Sequence, residues 1–341
     1  MTRFPLIVGE ISGNHNGSLS RALQIVDLVA DAGAGAVKLQ TYTPDTLTLD
    51  VDDEKFRVTS DHLLWPTRTL YDLYQEAHTP WEWHAEIFNY ARSLGLVVFS
   101  TPFDETAVDF LETLDCPIYK IASLEIVDLP LIRKAARTGK PLIISTGAAT
   151  FDEVTAAVAA SREAGCVDLT LLVCTSSYPA NPDDAHLRRM QTLSDTFGVK
   201  VGLSDHTRGI GVSVAATALG ATVIEKHVTL DHEDGGVDSA FSLDASELAL
   251  LVRECDVAAR SLGQSDFWQS PSEGESLRFR PSLYICQDVE AGELVSDENV
   301  RSVRPSGGLS PDMIEIVRGR SFTQAARMGT PLSMDLLNPQ G

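Results

Sequence analysis

The sequence predicts an α/β protein: a (β/α)8 TIM barrel over residues 1–263, a linker over 264–280, and a small β-rich domain over 281–341. Three observations carry this prediction. Short apolar runs alternate with alanine-rich, helix-periodic segments from residue 5 to about residue 263. Ionisable and hydroxyl residues recur where those apolar runs end. The pattern then breaks at a polar, turn-rich stretch and gives way to short strands and turns.

The strand candidates are 5–12, 36–42, 96–102, 118–123, 141–147, 169–176, 200–205 and 222–230. A helix-like segment follows each of them. Ser18 to Asp31 ends at Gly33, and Thr150 to Ala164 ends at Gly165. In both, a hydroxyl stands where it satisfies the first free N–H groups, and a glycine stands where the chain must turn left-handed. Eight such units in roughly 250 residues have the size and count of a TIM barrel. One long interruption, residues 43–79, separates the second strand from its helix and carries Trp65, Arg68, Tyr71 and Tyr74. Insertions of this kind lie over the catalytic face, so a lid or substrate wall is expected; the alternative is a surface excursion. Ser265, Pro271, Ser272, Gly274 and Glu275 mark the linker. Beyond it, 282–286, 291–294 and 301–304 read as short strands and turns, with little helix before Pro311. A module of about 60 residues buries too little surface to stand alone easily, so it is expected to lean on another surface.

Apolar residues make up 43% of the 341 residues and charged residues 22%, as in folded soluble proteins. No apolar run is long enough to span a bilayer. Residues 1–4 lead directly into an apolar strand, without the phases of a signal peptide. The five cysteines are odd in number and widely spaced, with no Cys-x-x-Cys pair. Reduced, buried thiols in a cytoplasmic protein are therefore expected. With 27 Lys+Arg against 48 Asp+Glu the formal charge is −21, which disfavours nucleic acid and anionic membranes as partners. An anionic small substrate remains compatible if a few cations are concentrated in one concave site.

The strand-end residues are Glu10, Lys38, Ser100/Thr101, Lys120/Ser123, Ser145, Ser176/Tyr178, Asp205/His206 and Glu225/His227. Barrel active sites are built at these ends, and buried charge is costly unless it is paired or functional. Side chains alternate along a strand, so Glu225 and His227 share a face while Lys226 points away. His206 ends the neighbouring strand and can converge with His227. Two neutral imidazoles with a carboxylate suit a divalent ion such as manganese that polarises a carbonyl oxygen. Satisfied core histidines, or acid/base groups without metal, are the alternatives. Lys38 and Lys120, with Ser123, Ser145 and Ser176, suit a phosphate and a carboxylate. A Schiff base on either lysine and an internal Lys38–Glu10 ion pair are rival uses.

At these residues the chain resembles the sialic acid (nonulosonic acid) synthase family, and is most similar to its pseudaminic branch. The segments that carry the resemblance run through the barrel in order. They include Gly9-Glu-Ile-Ser-Gly-Asn-His-Asn-Gly17, Ala36-Val-Lys-Leu-Gln-Thr-Tyr-Thr-Pro-Asp45, Tyr119-Lys-Ile-Ala-Ser123, Ser145-Thr-Gly147, Cys174-Thr-Ser-Ser-Tyr-Pro179, Gly202-Leu-Ser-Asp-His206 and Ile224-Glu-Lys-His227. Past the linker, Ser282-Leu-Tyr284, Ala291-Gly-Glu293 and Val303-Arg-Pro-Ser306 are similar to the antifreeze-like (SAF) domain.

The resemblance implies metal-dependent condensation of phosphoenolpyruvate with an open-chain amino-sugar, with loss of phosphate by C–O cleavage. It implies that His206 and His227 hold Mn²⁺, with Mg²⁺ or Co²⁺ as substitutes. Lys38, Thr101, Lys120, Ser123 and Ser145 would grip phosphoenolpyruvate, and Glu10 would be the acid/base or water-orienting carboxylate. Glu225 and Asp238 would support the metal and sugar ends, and Tyr178 would line the sugar side. It further implies a domain-swapped homodimer in which the small domain caps the partner's barrel and Arg304 approaches the sugar's N-acetyl group. Ser176 stands where N-acetylmannosamine-using members have asparagine, as in the pseudaminic branch, whose acceptor is 2,4-diacetamido-2,4,6-trideoxy-altrose. Two departures concern the acceptor: Pro281 replaces a common arginine, and Ala148 a common methionine or isoleucine.

Overall fold

A computed structural model describes residues 4–58, 67–267 and 270–339. The chain divides into two units, Met1–Gly263 and Gln264–Gly341.

The first unit contains a closed barrel of eight parallel strands in sequential order. They are β1 (Leu6–Glu10), β2 (Ala36–Thr41), β3 (Val97–Pro102), β4 (Tyr119–Ile121), β5 (Leu142–Ser145), β6 (Leu169–Cys174), β7 (Lys200–Asp205) and β8 (Val223–His227). Each strand lies within its predicted range, and most stop short of its C-terminal limit. The polar residues beyond leave the hydrogen-bond ladder for the loops of the mouth. The strands are aliphatic because both faces are covered, one by the barrel interior and one by helices. Ile7, Val37, Leu39, Phe99 and Ile144 are fully buried, and each such side chain contributes roughly 1.5–3 kcal/mol relative to exposure.

The helices begin and end as their caps dictate. Ser18 accepts from the Arg21 amide at the head of Leu19–Asp31, and Thr150 forms a reciprocal capping box with Glu153 at the head of Phe151–Glu163. Gly33 and Gly165 take φ of 79° and 102° just beyond these helices, a region that a Cβ disfavours.

The long insertion folds into short helices at Pro44–Leu47 and Leu70–Ala77, with a 3-10 turn at Glu54–Phe56. The helix Trp81–Ser93 then leads back to β3. Tyr74 meets Tyr42, just past β2, edge-on at 5.8 Å, and Tyr42 meets Phe103, just past β3, at 5.1 Å. The insertion therefore packs at the C-terminal ends of the strands. Trp65 lies outside the described residues.

The second unit has its own core of Leu283, Ile285, Val289, Val295, Val300, Val317, Phe322, Leu332 and Leu337. Its two-stranded antiparallel sheet pairs β9 (Ser282–Ile285) with β10 (Val300–Val303). Residues 291–294 are a turn and not a strand, joined to the rest by a Leu294–Ser321 bridge. The polar stretch read as linker carries a 3-10 turn at Pro271–Glu273 and a short helix at Gly274–Leu277, started by a Ser270–Glu273 capping interaction. All five cysteines are free, four of them buried. No helix among the described residues is long and apolar enough to cross a membrane.

Candidate active site

Strand register decides which side chains meet at the mouth. Glu10 of β1 pairs with Lys38 of β2 on one side and with His227 of β8 on the other. Lys38 Nζ lies 2.5 Å from Glu10 Oε2 and donates to Thr101 Oγ1 at 3.0 Å. Glu225 Oε1 sits 3.6 Å from Lys120 Nζ and 4.0 Å from Lys38 Nζ, and accepts from Ser204 Oγ at 3.1 Å. Glu10, Lys38, Thr101, Lys120 and Glu225 are each at most 5% exposed. The Lys38–Glu10 ion pair weighed from the sequence is present, as one edge of a four-charge cluster.

Burial alone would neutralise these groups, and their neighbours decide the outcome. For Glu225 burial raises the pKa, but Lys120, Lys38, His227 and Ser204 outweigh it and hold the carboxyl at about 2. Burial likewise opposes the charge of Lys38, yet Glu10 and Glu225 raise its pKa above the usual value. Lys120 differs: burial prevails over Glu225, Lys38 adds repulsion, and its pKa is lowered.

Across the mouth the two imidazoles converge, with ring centroids 5.2 Å apart. The Nδ1 of His206 is 3.0 Å from the Thr175 carbonyl, to which it donates, and the lone pair is thereby left on Nε2. His227 Nδ1 faces Asp238 Oδ2 at 3.6 Å. Tyr178 packs on His206 at 4.4 Å, and Phe241 packs on His227 at 5.1 Å. This aromatic wall covers one side of the rings.

Ser123, Ser145 and Ser176 complete the rim. Ser123 Oγ accepts from the Gly147 amide at 3.2 Å, and Ser176 Oγ lies 3.8 Å from Cys174 Sγ. Gly147 makes this crowding possible, because a Cβ there would meet Ser176 Oγ at 2.3 Å and Ser123 Oγ at 2.8 Å. Among the described residues, the buried side-chain polar atoms without a hydrogen-bond partner all belong to Glu10, Ser145, Glu225 and His227. Such atoms are rare in folded proteins, and their concentration at one mouth marks a place built for something to bind. A roomier open depression lined by Asp183, His186, Arg188 and Arg189 has no such atoms.

Two strand-end residues point away from the mouth. Ser100 shares a 2.6 Å hydrogen bond with Thr41. Asp205 accepts from Thr207 and Ser213 and pairs with buried Lys226 at 3.2 Å, so it clamps the loop that carries His206. Alternation along the strands accounts for both. Arg304 belongs to the second unit, where it is exposed just past β10. Ala148 sits exposed at φ 58°, and Pro281 is exposed ahead of β9.

Sequence reasoning gave no role to Glu125, Gln40 or Ser12. Glu125 lies in the 3-10 turn Leu124–Val127, two residues beyond Ser123. Burial pushes its pKa up to about 7, against its own backbone and nearby Lys120. Gln40 shares the inward face of β2 with Lys38, a signal that the two-residue period offered. His232, Asp244 and Glu247 form the one group of three candidate ligands found among the described residues. Its carboxylates already serve the capping box of the helix Ala245–Ser261.

The NeuB family model matches residues 25–267, and the SAF domain model matches residues 280–338. A pseudaminic acid synthase of Helicobacter pylori is 43% identical over 98% of this chain and 98% of its own. The N,N'-diacetyllegionaminic acid synthase of Campylobacter jejuni is 35% identical over 94% of this chain and 96% of its own. The crystal structure of the N-acetylneuraminic acid (sialic acid) synthetase of Leptospira borgpetersenii superposes with a TM-score of 0.71 at 32% identity, covering 82% of this chain and 92% of that one. With the barrel, the charged mouth and these matches in agreement, the chain belongs to the NeuB family of sialic acid synthase-type enzymes and carries a C-terminal SAF domain.

Proposed function

We propose that this enzyme condenses phosphoenolpyruvate with an amino-sugar aldehyde, 2,4-diacetamido-2,4,6-trideoxy-altrose, to give pseudaminic acid and phosphate. The observation that carries the reading is a single mouth with two buried lysines and a ring of hydroxyls on one side and two converging imidazoles on the other. The first side matches a phosphate and a carboxylate. The second suits a divalent ion, since the two rings converge and the Nε2 of His206 is left free by the bond of its Nδ1 to the Thr175 carbonyl. The sugar assignment rests on Ser176 and on the identity to the H. pylori enzyme; legionaminic or N-acetylneuraminic acid precursors are the alternative acceptors.

Lys38, Lys120, Thr101, Ser123 and Ser145 would hold the phosphate and carboxylate so that C3 of phosphoenolpyruvate faces the aldehyde carbon. Bound by His206 and His227, Mn²⁺, or Mg²⁺ or Co²⁺ in its place, would polarise the aldehyde as a Lewis acid. C3 donates its electron pair to the aldehyde carbon, and the aldehyde oxygen becomes an alkoxide. Water adds to the electron-poor C2, and one of its protons passes through Glu10 to that alkoxide, which becomes the new hydroxyl. The bond from C2 to the bridging oxygen then breaks, phosphate leaves with that oxygen and with the second proton of the added water, and the keto oxygen derives from water. Glu225 keeps Lys120 and Lys38 aligned, Asp238 supports His227, and Tyr178 flanks the sugar. Two copies of the chain would complete the site, each SAF domain capping the partner's barrel and supplying Arg304 to the N-acetyl group.

The test is phosphate release from phosphoenolpyruvate with a panel of amino-sugars, with and without Mn²⁺, in ¹⁸O water. The expected result is metal-dependent release with ¹⁸O in the ketone; label in the phosphate instead would refute C–O cleavage. The lowered pKa of Lys120 favours one second reading, a Schiff-base lyase. Borohydride trapping with pyruvate that persists in EDTA would select it.

A further inference from the structure

We propose that Ser12 is a positioning residue for His227, acting through Asp238 so that this imidazole presents Nε2 to the cation. The inference rests on the reading of His206 and His227 as a cation site.

Ser12 follows β1 and is held at φ 48°, a left-handed conformation that costs a non-glycine residue roughly 1–2 kcal/mol. Glycine would adopt it freely, so the serine side chain itself needs a reason. It is 5% exposed and makes two hydrogen bonds. Gln40 Nε2 donates to Ser12 Oγ at 3.1 Å, and Ser12 Oγ donates to Asp238 Oδ2 at 2.5 Å. A hydroxyl has one proton, and a carboxylate can only accept. The direction of the chain is thereby fixed, from Gln40 through Ser12 to Asp238.

The receiving oxygen is the one that faces His227. Asp238 Oδ2 lies 3.6 Å from His227 Nδ1, a buried nitrogen with no hydrogen-bond partner of its own. Asp238 is thus the acceptor toward which an Nδ1 proton points, and a proton there leaves the Nε2 lone pair for a cation. Metal-binding histidines are commonly oriented by a carboxylate in this way. Here the carboxylate is itself aimed by residues that join the loop after β1, the inward face of β2 and the loop after β8. Without the Ser12 hydroxyl the carboxylate keeps only the Gly13 amide to aim it, and the oxygen that faces the ring loses its anchor.

The test is Mn²⁺ binding to the full chain without substrate, followed by the EPR signal of free Mn²⁺, for wild type, Ser12→Ala and Ser12→Gly. Loss of a direct orienting partner weakens metal binding about 10–100-fold, and Ser12 acts one bond further out, so about threefold to tenfold is expected for both variants. Ser12→Gly, freed of the backbone strain, should melt no lower than wild type. Under saturating Mn²⁺ both variants should lose kcat with KM for phosphoenolpyruvate unchanged. Wild-type affinity in both variants, or in Ser12→Gly alone, would overturn the inference, because the hydroxyl would then be dispensable. Failure of the wild-type chain to bind Mn²⁺, Mg²⁺ or Co²⁺ would instead overturn the cation reading beneath it.

Discussion

Glu225→Gln removes one negative charge from between two buried ammonium groups while keeping the shape of the side chain and an acceptor for Ser204. At an effective dielectric of about 20, contacts of 3.6 and 4.0 Å are each worth roughly 4–5 kcal/mol before desolvation is counted. The net effect is smaller. A carboxyl moved from 4.5 to about 2 contributes roughly 3 kcal/mol to folding, at about 1.36 kcal/mol per pH unit. That is also the usual cost of breaking a buried pair, about 3–5 kcal/mol. Because the folded pKa is depressed, the stabilisation is complete above the unfolded value near 4.5 and is lost as pH falls toward about 2. The deficit of the variant should therefore be constant between about pH 6 and 8. Calorimetry of the metal-free protein should show the barrel transition lowered by about 6–12 °C, with exposed Glu163→Gln as a control that stays within about 0.5 kcal/mol of wild type. A deficit below about 1 kcal/mol would refute the argument that the two lysines stay charged because this carboxylate faces them.

Gly147→Ala should raise KM for phosphoenolpyruvate at least about tenfold with a small change in melting temperature, because its Cβ would displace the Ser123 and Ser176 hydroxyls and not the core; steady-state kinetics checks this. Glu125 has a folded pKa of about 7, above its unfolded value, so it lowers stability progressively as pH rises from about 4.5 to 7. Glu125→Gln should accordingly be the more stable protein at pH 8 by about 2 kcal/mol, discounted for the partial exposure of the side chain, and equal to wild type at pH 4.5, as read by urea titration. Arg304→Ala should raise KM for the amino-sugar and leave phosphoenolpyruvate binding by calorimetry unchanged.

The barrel was legible because parallel strands buried on both faces leave an unmistakable trace, short aliphatic runs such as Leu142–Ile144 and Leu169–Val173 set between capped helices. Much of the site was legible for a related reason. Polar residues at the ends of such runs are too costly to be accidental, and the two-residue period states which of Glu225, Lys226 and His227 turn inward. Apart from Gln40, which the period of β2 places beside Lys38, what escaped notice lies where no period applies. Glu125 is in a 3-10 turn whose aim depends on the fold around it. Nothing in the letter Ser reveals that Ser12 occupies a glycine-like φ, and nothing in Ser-Thr-Gly reveals that Gly147 lies under two hydroxyls. Ser100 and Asp205 were grouped with the mouth by position in the strand alone, and alternation sends both outward.

The charge distribution explains how so acidic a chain can serve an anion. Exterior carboxylates are screened beyond about 8–10 Å at physiological ionic strength, so a formal charge of −21 acts weakly on a small substrate until it reaches the mouth. Inside, screening is poor, and the balance is local: Lys38 and Lys120 against Glu10 and Glu225. Without the carboxylates, burial would act unopposed on the lysines, and at Lys120 it already holds the pKa below its usual value. The carboxylates thus preserve the cations, and Glu10 Oε1 and Glu225 Oε2, the oxygens turned from the lysines, leave room for donors that a substrate or water can bring. An arrangement selected for stability alone would have replaced this quartet with aliphatic side chains of similar volume, which buried ion pairs commonly tolerate without loss. Its presence among the largely apolar strands of the barrel is therefore an argument for chemistry at this mouth that does not depend on any relative.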